Sequence, residues 1–258
     1  MTETYKVNGV DVAELLTKVQ LLDGWRAAPP LRQSDFPVPG RIGDVPANPW
    51  PGPRPASVGG LISAATRDAC LTKISRFMRV VFNAGQLMTL SRTAVDSTGA
   101  LVACETTARY ADGLGRYEHV SPTIARVAAE LTILESYWYA ASTVDSGVKT
   151  GATFSIDAPG DVATHKVVVR FTGSASTQRL TNTTTGDWVQ YGASSAASAV
   201  VLDVDAFTAL QGATNQIQYV SSGDDNSSYY WMTIAPGINT FTLTGGGSVQ
   251  LVYRAAYL

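Results

Sequence analysis

The sequence is poor in the residue types that most catalytic and metal-binding sites require. Its 258 residues contain only two cysteines and two histidines. Cys70 and Cys104 have neither a CxxC partner nor a neighbouring histidine, so a zinc site has no ligand set. Two lone cysteines also make no disulfide framework, and we expect both to be reduced, buried thiols.

Charge and long apolar runs are scarce as well. Charged residues make up 16% of the chain and the net charge is −2, so the surface has no attraction for a phosphate backbone and nucleic acid is not an expected partner. Residues 1–6 contain no apolar segment, and no apolar run has the length of a membrane span. We therefore expect neither a secretory signal nor membrane insertion. Hydrophobic residues reach 45%, which is typical of a chain that folds.

The order of the patterns predicts a mainly β protein of two domains. Residues 1–142 read as an α+β domain of strands with one helix, whereas residues 150–258 show the period-two alternation and Gly-rich turns of an antiparallel β-sandwich. Residues 141–151 are rich in Ser, Gly and Thr, and we interpret them as a linker or domain boundary.

The predicted helix spans residues 66–82. Its apolar residues recur at the helical period along one arc, and Lys73, Arg76 and Arg79 fall on the opposite arc. Such a basic arc is most often a solvated face, but it could also line a subunit interface or a tube lumen.

Residues 29–55 hold most of the prolines. Because proline lacks the N–H group that a central strand needs, this segment is predicted to be a long loop or an extended arm. A surface loop and an arm that reaches a neighbouring subunit both remain open, since long loops in compact domains usually serve a function.

The usual catalytic patterns are missing. His119 falls in a predicted loop and His165 begins a predicted strand, and neither lies near a GxSxG serine. Asp203 and Asp205 form an acid pair, but two acids alone are a weak signal for glycoside chemistry. The acids at 224–225 fit a polar turn better than a calcium site. No catalytic residue, metal ligand or cofactor is predicted.

Aromatic residues of the second domain offer one binding hypothesis. Trp188, Tyr191, Tyr229 and Trp231 could stack on sugar rings, although packing inside the sandwich is the commoner fate of such side chains.

Several segments, taken in chain order, resemble the siphophage distal tail proteins and related minor tail proteins. The last of them is WMTIAPGINTF at 231–241, which leads into VQLVYR at 249–254, a hairpin of that family. The earlier segments are PGRIG at 39–43, LTILESYWY at 131–139 and TNTTTG at 181–186. Where the family usually has Asp-Pro before the aromatic residues, this chain has Glu135-Ser136.

The resemblance implies a structural, non-enzymatic virion protein located at the tip of a long non-contractile tail. The first domain would be a belt-like unit that closes into a hexameric ring, and the second would be a galectin-like or carbohydrate-module-like sandwich. The ring would join the tail tube to the tail-tip and receptor-binding machinery. The expected partners are other copies of the chain, the tail tube protein, tail-tip proteins and the tape measure protein. Candidate interface residues are Lys73, Arg76, Arg79, Pro39, Gly40, Arg41 and Trp50.

Two other functions remain open at the level of sequence. A virion carbohydrate-binding protein would recognise host surface glycans through the four aromatic residues named above. A glycan-degrading enzyme would use two carboxylates in one cleft, with Asp203 and Asp205 as the candidates.

Overall fold

A computed structural model describes residues 3–32, 36–37, 44–45, 50–82, 86–96, 99–111, 116–223 and 231–258. The chain divides into two compact units. The first comprises Met1–Ala94, Ala103–Trp138 and Leu258, and the second comprises Val95–Val102 and Tyr139–Tyr257. Strands account for 53% of the structure and helices for 10%, which confirms the prediction of a mainly β protein.

The elements lying wholly or mainly in the first unit are β1 (Tyr5–Val7), β2 (Val10–Asp11), α1 (Val12–Leu15), β3 (Lys18–Leu21), β4 (Leu31–Arg32), β5 (Phe36–Pro37), β6 (Asp44–Val45), β7 (Trp50–Pro51), β8 (Arg54–Ser63), α2 (Arg67–Val81), β9 (Met88–Val95), β10 (Leu101–Tyr110), β11 (Arg116–Ser121) and β12 (Ile124–Ile133). The main sheet has the order β2-β1-β9-β10-β12-β8-β3, and β11 also pairs with β12. Two residues, Asn8 and Gly9, make the β1–β2 turn with φ values of 50° and 79°, as their Asn-Gly sequence predicts.

Helix α2 covers one face of this sheet, where it packs against β8 and β12. The Thr66 hydroxyl caps its N-terminus by accepting the Ala69 N–H at 3.3 Å. Residues spaced three or four apart are buried, namely Cys70, Ile74, Phe77 and Val81. The predicted helix is confirmed, but Leu71, which belongs to the predicted apolar arc, is exposed because it lies at the edge of that arc. The described residues add one shorter α-helix, α1.

The elements lying wholly or mainly in the second unit are β13 (Trp138–Ala140), β14 (Val144–Lys149), β15 (Thr153–Ala158), β16 (Val167–Thr172), β17 (Gln178–Asn182), β18 (Trp188–Tyr191), β19 (Val200–Asp203), β20 (Thr208–Gln211), β21 (Thr214–Asn215), β22 (Val220–Gly223), β23 (Gly237–Thr244), β24 (Ser248–Tyr253) and β25 (Ala256–Tyr257). One antiparallel sheet has the order β14-β24-β16-β19-β20-β21 and the other has the order β15-β23-β17-β18-β22.

The alternate residues of these strands form one apolar core between the two sheets. Val167, Val169 and Phe171 of β16 are buried, while Arg170 and Thr172 of the same strand are exposed. The same cluster includes residues of β15, β17, β18, β19, β20, β23 and β24. The period-two pattern therefore placed the inward side chains correctly, because each side of a strand faces a different environment.

The segment at 141–151 differs from its sequence-based interpretation. The predicted linker at 141–151 contains β14, an edge strand that pairs with β24. Val144 packs against the sandwich core, and the Asp145 carboxylate accepts two hydrogen bonds from the Gln250 amide at 2.9 and 2.7 Å. A strand rich in Ser and Gly is hard to recognise locally, since its partner lies about a hundred residues away in sequence.

Candidate functional site

The basic arc of α2 is exposed, and its residues have few internal contacts. Lys73 Nζ donates to the Ser63 carbonyl at 2.8 Å. Arg76 Nη2 lies 3.4 Å from Glu14 Oε2, and both of these side chains are more than half exposed. Arg79 is also exposed. An ion pair with this geometry contributes little to stability, so these cations are available to an acidic partner surface.

The proline-rich segment is partly outside the described residues, which include neither Pro39, Gly40 nor Arg41. Trp50 lies in β7, directly opposite Arg32 of β4. A second short ladder pairs β5 with β6. Both ladders are antiparallel, and such pairing is compatible with an arm and with a folded surface loop alike.

A further exposed surface in the first unit was missed by the sequence analysis. The segment containing His119 is not a loop, because it forms β11, which pairs with β12. Its side chains are almost all exposed, including Tyr117 at 54% and Val120 at 57%. The Tyr117 and His119 rings contact each other edge-to-face at 5.9 Å. An exposed strand with large apolar side chains is a typical site for pairing with another chain.

The four aromatic residues proposed for glycan binding are placed differently from one another. Tyr191 is buried at 1% exposure and belongs to the sandwich core, so this residue is not available to a sugar. Trp231 packs against the same core, and its ring meets the Phe207 ring at 5.5 Å. Tyr229 lies outside the described residues.

The fourth aromatic residue, Trp188, is covered by the protein's own groups. Gly223 lies opposite it in the β18–β22 ladder, and a Cβ atom at Gly223 would sit 2.7 Å from three indole atoms. The Arg179 guanidinium carbon lies 4.0 Å from the centroid of the indole ring. Because backbone and cation both pack on this ring, little of it is left for a sugar to stack on.

The acid pair has structural partners rather than the setting of a catalytic site. Asp203 Oδ1 accepts the backbone N–H groups of Asp205 and Ala206 at 3.1 and 3.0 Å, which fixes the turn after β19. Asp205 contacts His165 Nε2 at 3.3 Å and Lys166 Nζ at 3.0 Å. The hydrogen bond from His165, followed by that from Lys166, lowers the pKa of the Asp205 carboxyl to about 2. A general acid needs a raised pKa, so the direction of this shift does not suit Asp205 to that role.

Two of the motifs that suggested the family resemblance meet in one buried hydrogen-bond network. Asn182 Nδ2 donates to the Thr233 carbonyl at 2.9 Å and to Asn239 Oδ1 at 3.1 Å. Asn239 in turn closes the Pro-Gly turn, because its Nδ2 donates to the Ala235 carbonyl at 2.7 Å and its Oδ1 accepts the Ala235 N–H at 2.9 Å. These hydrogen bonds give the TNTTTG and WMTIAPGIN segments a structural role, because they join two turns of the sandwich.

The described residues contain no group of three or more His, Cys, Asp or Glu residues arranged to hold a metal ion. Both cysteines are buried thiols outside any disulfide. Nor does any helix in the described part of the chain have the length and apolarity to span a membrane.

Comparison with known proteins finds similarity in structure. No family model matches the sequence, and no curated protein matches it. The crystal structure of the Dit protein of phage SPP1, described as a paradigm of the hub adsorption apparatus in phages that infect Gram-positive bacteria, aligns over 100% of both chains with a TM-score of 0.69 and 13% identity. A chain of the phage P2 baseplate in its activated conformation aligns over 99% of this chain and 98% of its own length, with a TM-score of 0.50 and 9% identity. The predicted fold of a siphophage distal tail protein is thereby confirmed.

Proposed function

We propose that this chain is a structural virion protein that forms a ring, of six subunits, at the distal end of a long non-contractile phage tail. The ring connects the tail tube to the tail-tip and receptor-binding apparatus. Besides its own copies, the proposed partners are the tail tube protein, the tail-tip proteins and the tape measure protein.

The observation that carries this proposal is the alignment with SPP1 Dit over the whole of both chains. A match confined to the sandwich would have little functional meaning, because sandwich folds serve many unrelated functions. An alignment that includes the α+β unit as well as the sandwich, in the same order, supports a shared role as a hub of the adsorption apparatus.

Ring closure requires two different surfaces on each subunit, related by a rotation that returns to its start. The first unit offers the basic arc of α2, with Lys73, Arg76 and Arg79, and the exposed strand β11. Because the arc is solvated and only weakly paired, an acidic surface of the next subunit can neutralise it at a small cost in desolvation. Residues 29–55 are a third candidate, as an arm that reaches the neighbouring copy.

The aromatic residues and acids of the second unit give no comparable support for the two other functions. Tyr191 is buried and Trp188 is packed against Gly223 and Arg179, so a glycan platform would have to rely on Trp231 and on residues outside the described part. Asp203 and Asp205 are engaged in a turn and in ion pairs.

Labelling of intact virions tests the proposed location. Gold-conjugated antibodies raised against this chain should bind at the end of the tail that is distal to the capsid, and one cluster per virion is expected. Label along the whole tail or on the capsid would contradict the proposal. Antibodies against the major tube protein serve as the control, since they should mark the whole length of the tail.

A further inference from the structure

The side chain of Asn8, in the β1–β2 turn, joins three parts of the first unit. Asn8 Nδ2 donates to the Val80 carbonyl, in the last turn of α2, at 3.0 Å. Asn8 Oδ1 accepts the N–H of Thr89, near the start of β9, at 3.1 Å, and the Asn8 N–H donates to the Thr89 carbonyl at 2.8 Å. The last four carbonyls of a helix have no partner within the helix, so Asn8 supplies a donor that the end of α2 lacks.

The residue after Asn8 makes this side chain chemically vulnerable. Asn8-Gly9 is the one Asn-Gly pair in the sequence, and both residues are exposed to solvent. A Cβ atom on Gly9 would meet nothing within 4 Å, so the turn is open on that side. Because glycine has no Cβ, its main-chain nitrogen approaches the preceding side-chain amide with little hindrance.

We propose that Asn8 is a site of spontaneous deamidation. The Gly9 main-chain nitrogen loses its proton to a solvent base and forms a bond to Asn8 Cγ. The Cγ–Nδ2 bond breaks, ammonia leaves, and a cyclic imide remains. Water then opens the imide at one of its two carbonyls, which yields aspartate or isoaspartate. The Thr89 N–H points at Asn8 Oδ1, where it stabilises the negative charge that develops on this oxygen during the attack.

The product cannot make the contact between Asn8 and α2. A carboxylate has no hydrogen to donate, so two acceptor oxygens would face each other at Val80. The carboxylate would also bring a negative charge to the C-terminal end of a helix, where the helix dipole is already negative. Isoaspartate lengthens the main chain of a two-residue turn as well, which disturbs the β1–β2 pairing. Deamidation therefore detaches this turn from the end of α2.

Peptide mapping by mass spectrometry, after incubation of the full chain at pH 8, tests the reaction. Residue 8 should lose its amide, whereas Asn215, which is also exposed but precedes Gln216, should keep it. Gly9→Ala should slow the loss at residue 8, because the added methyl group hinders the attacking nitrogen and the turn has room for it. Equal losses at residues 8 and 215, or a Gly9→Ala chain that reacts as fast as the unaltered one, would overturn the proposal.

Thermal unfolding of Asn8→Asp, which is one of the two products, tests the consequence. The melting temperature should fall by about 4 °C, since one hydrogen bond is lost and an unfavourable charge is gained. Asn215→Asp is the matched control. Asn215 Oδ1 only accepts, from the Ile217 N–H at 3.0 Å, and an aspartate does the same, so this change should shift the melting temperature by less than about 1 °C. Equal melting temperatures for the two variants would overturn the proposed loss of the contact with α2.

Discussion

Asn182 and Asn239 bind each other through a 3.1 Å hydrogen bond and are fully buried, although they lie on different strands and belong to motifs that are far apart in sequence. Each also holds a turn. The Asn182 side-chain oxygen accepts the Thr184 N–H at 3.1 Å, and Asn239 bonds both polar atoms of Ala235. The pair therefore fixes two loops of the sandwich relative to each other.

The first prediction concerns this pair. Asn239→Ala removes the acceptor for Asn182 and for the Ala235 N–H, and leaves buried polar groups unpaired. We expect the free energy of unfolding to fall by about 3 kcal/mol. Equilibrium unfolding in urea checks this value. The matched change Asn215→Ala affects an exposed asparagine with one hydrogen bond and should cost under about 1 kcal/mol. Equal losses in the two variants would argue against the proposed network.

The glycine-rich turn between β23 and β24 gives a second prediction. A Cβ atom at Gly245 would lie 1.8 Å from the Thr177 carbonyl oxygen, whereas one at Gly246 would meet nothing within 4 Å. Both residues have positive φ, at 90° and 76°, so alanine is strained at either position. We expect Gly246→Ala to cost about 1 kcal/mol and Gly245→Ala at least about 2 kcal/mol more, because the loop must also move. Thermal unfolding of the two variants under one set of conditions makes the comparison.

Packing of α2 supplies the third prediction. Phe77 is fully buried, whereas Leu71 on the same helix is 39% exposed. Phe77→Ala should lower the free energy of unfolding by about 3–5 kcal/mol, since it opens a cavity. Leu71→Ala should lower it by less than about 1 kcal/mol. If the two variants had similar stability, the helix would not pack on the sheet through its Cys70–Val81 face.

Asp205 provides a test by pH. Its folded-state pKa is about 2, chiefly because of His165 and Lys166, and lies below the ordinary value of 3.8. A depressed carboxyl pKa stabilises the fold at pH values above the unfolded pKa, and this contribution is lost as the pH falls through 2. Asp205→Asn should therefore cost about 1 kcal/mol at pH 6, a value reduced for screening because the carboxylate is more than one-third exposed. The difference between the two proteins should shrink from pH 4 towards pH 2, and a constant difference over that range would contradict the assignment.

Much of the fold followed from local patterns in the sequence. Helix α2 and the strands β16 and β19 show the periodicity that burial of a single side imposes. The Asn8-Gly9 turn was predictable because these two residue types tolerate the positive φ values that it requires. The strands β11 and β14 were missed, since they carry few buried side chains and depend on partners elsewhere in the chain. The burial of Arg54 was missed for a related reason. Arg54 is charged and lies between two prolines, so its local sequence predicts an exposed side chain, although the folded protein buries it.

The interface also has a directed test. Reversing the charges of the α2 arc, with Lys73→Glu, Arg76→Glu and Arg79→Glu combined, should prevent or weaken ring assembly if an acidic surface of the neighbouring copy binds there. A matched reversal on the outward face of the sheet, with Lys18→Glu, Arg109→Glu and Arg126→Glu, serves as the control for net charge. Circular dichroism should show that both variants remain folded. If both variants assembled equally well or equally poorly, the basic arc of α2 would not be the interface.

The mass of the purified chain in solution tests the central claim most directly. Light scattering behind a sizing column should give about six times the 27.3 kDa of one chain, and negative-stain electron microscopy of that fraction should show closed rings. A mass of one chain at every concentration, with no rings either alone or after mixing with the tail tube protein, would contradict the proposal that this protein forms the ring at the end of the tail.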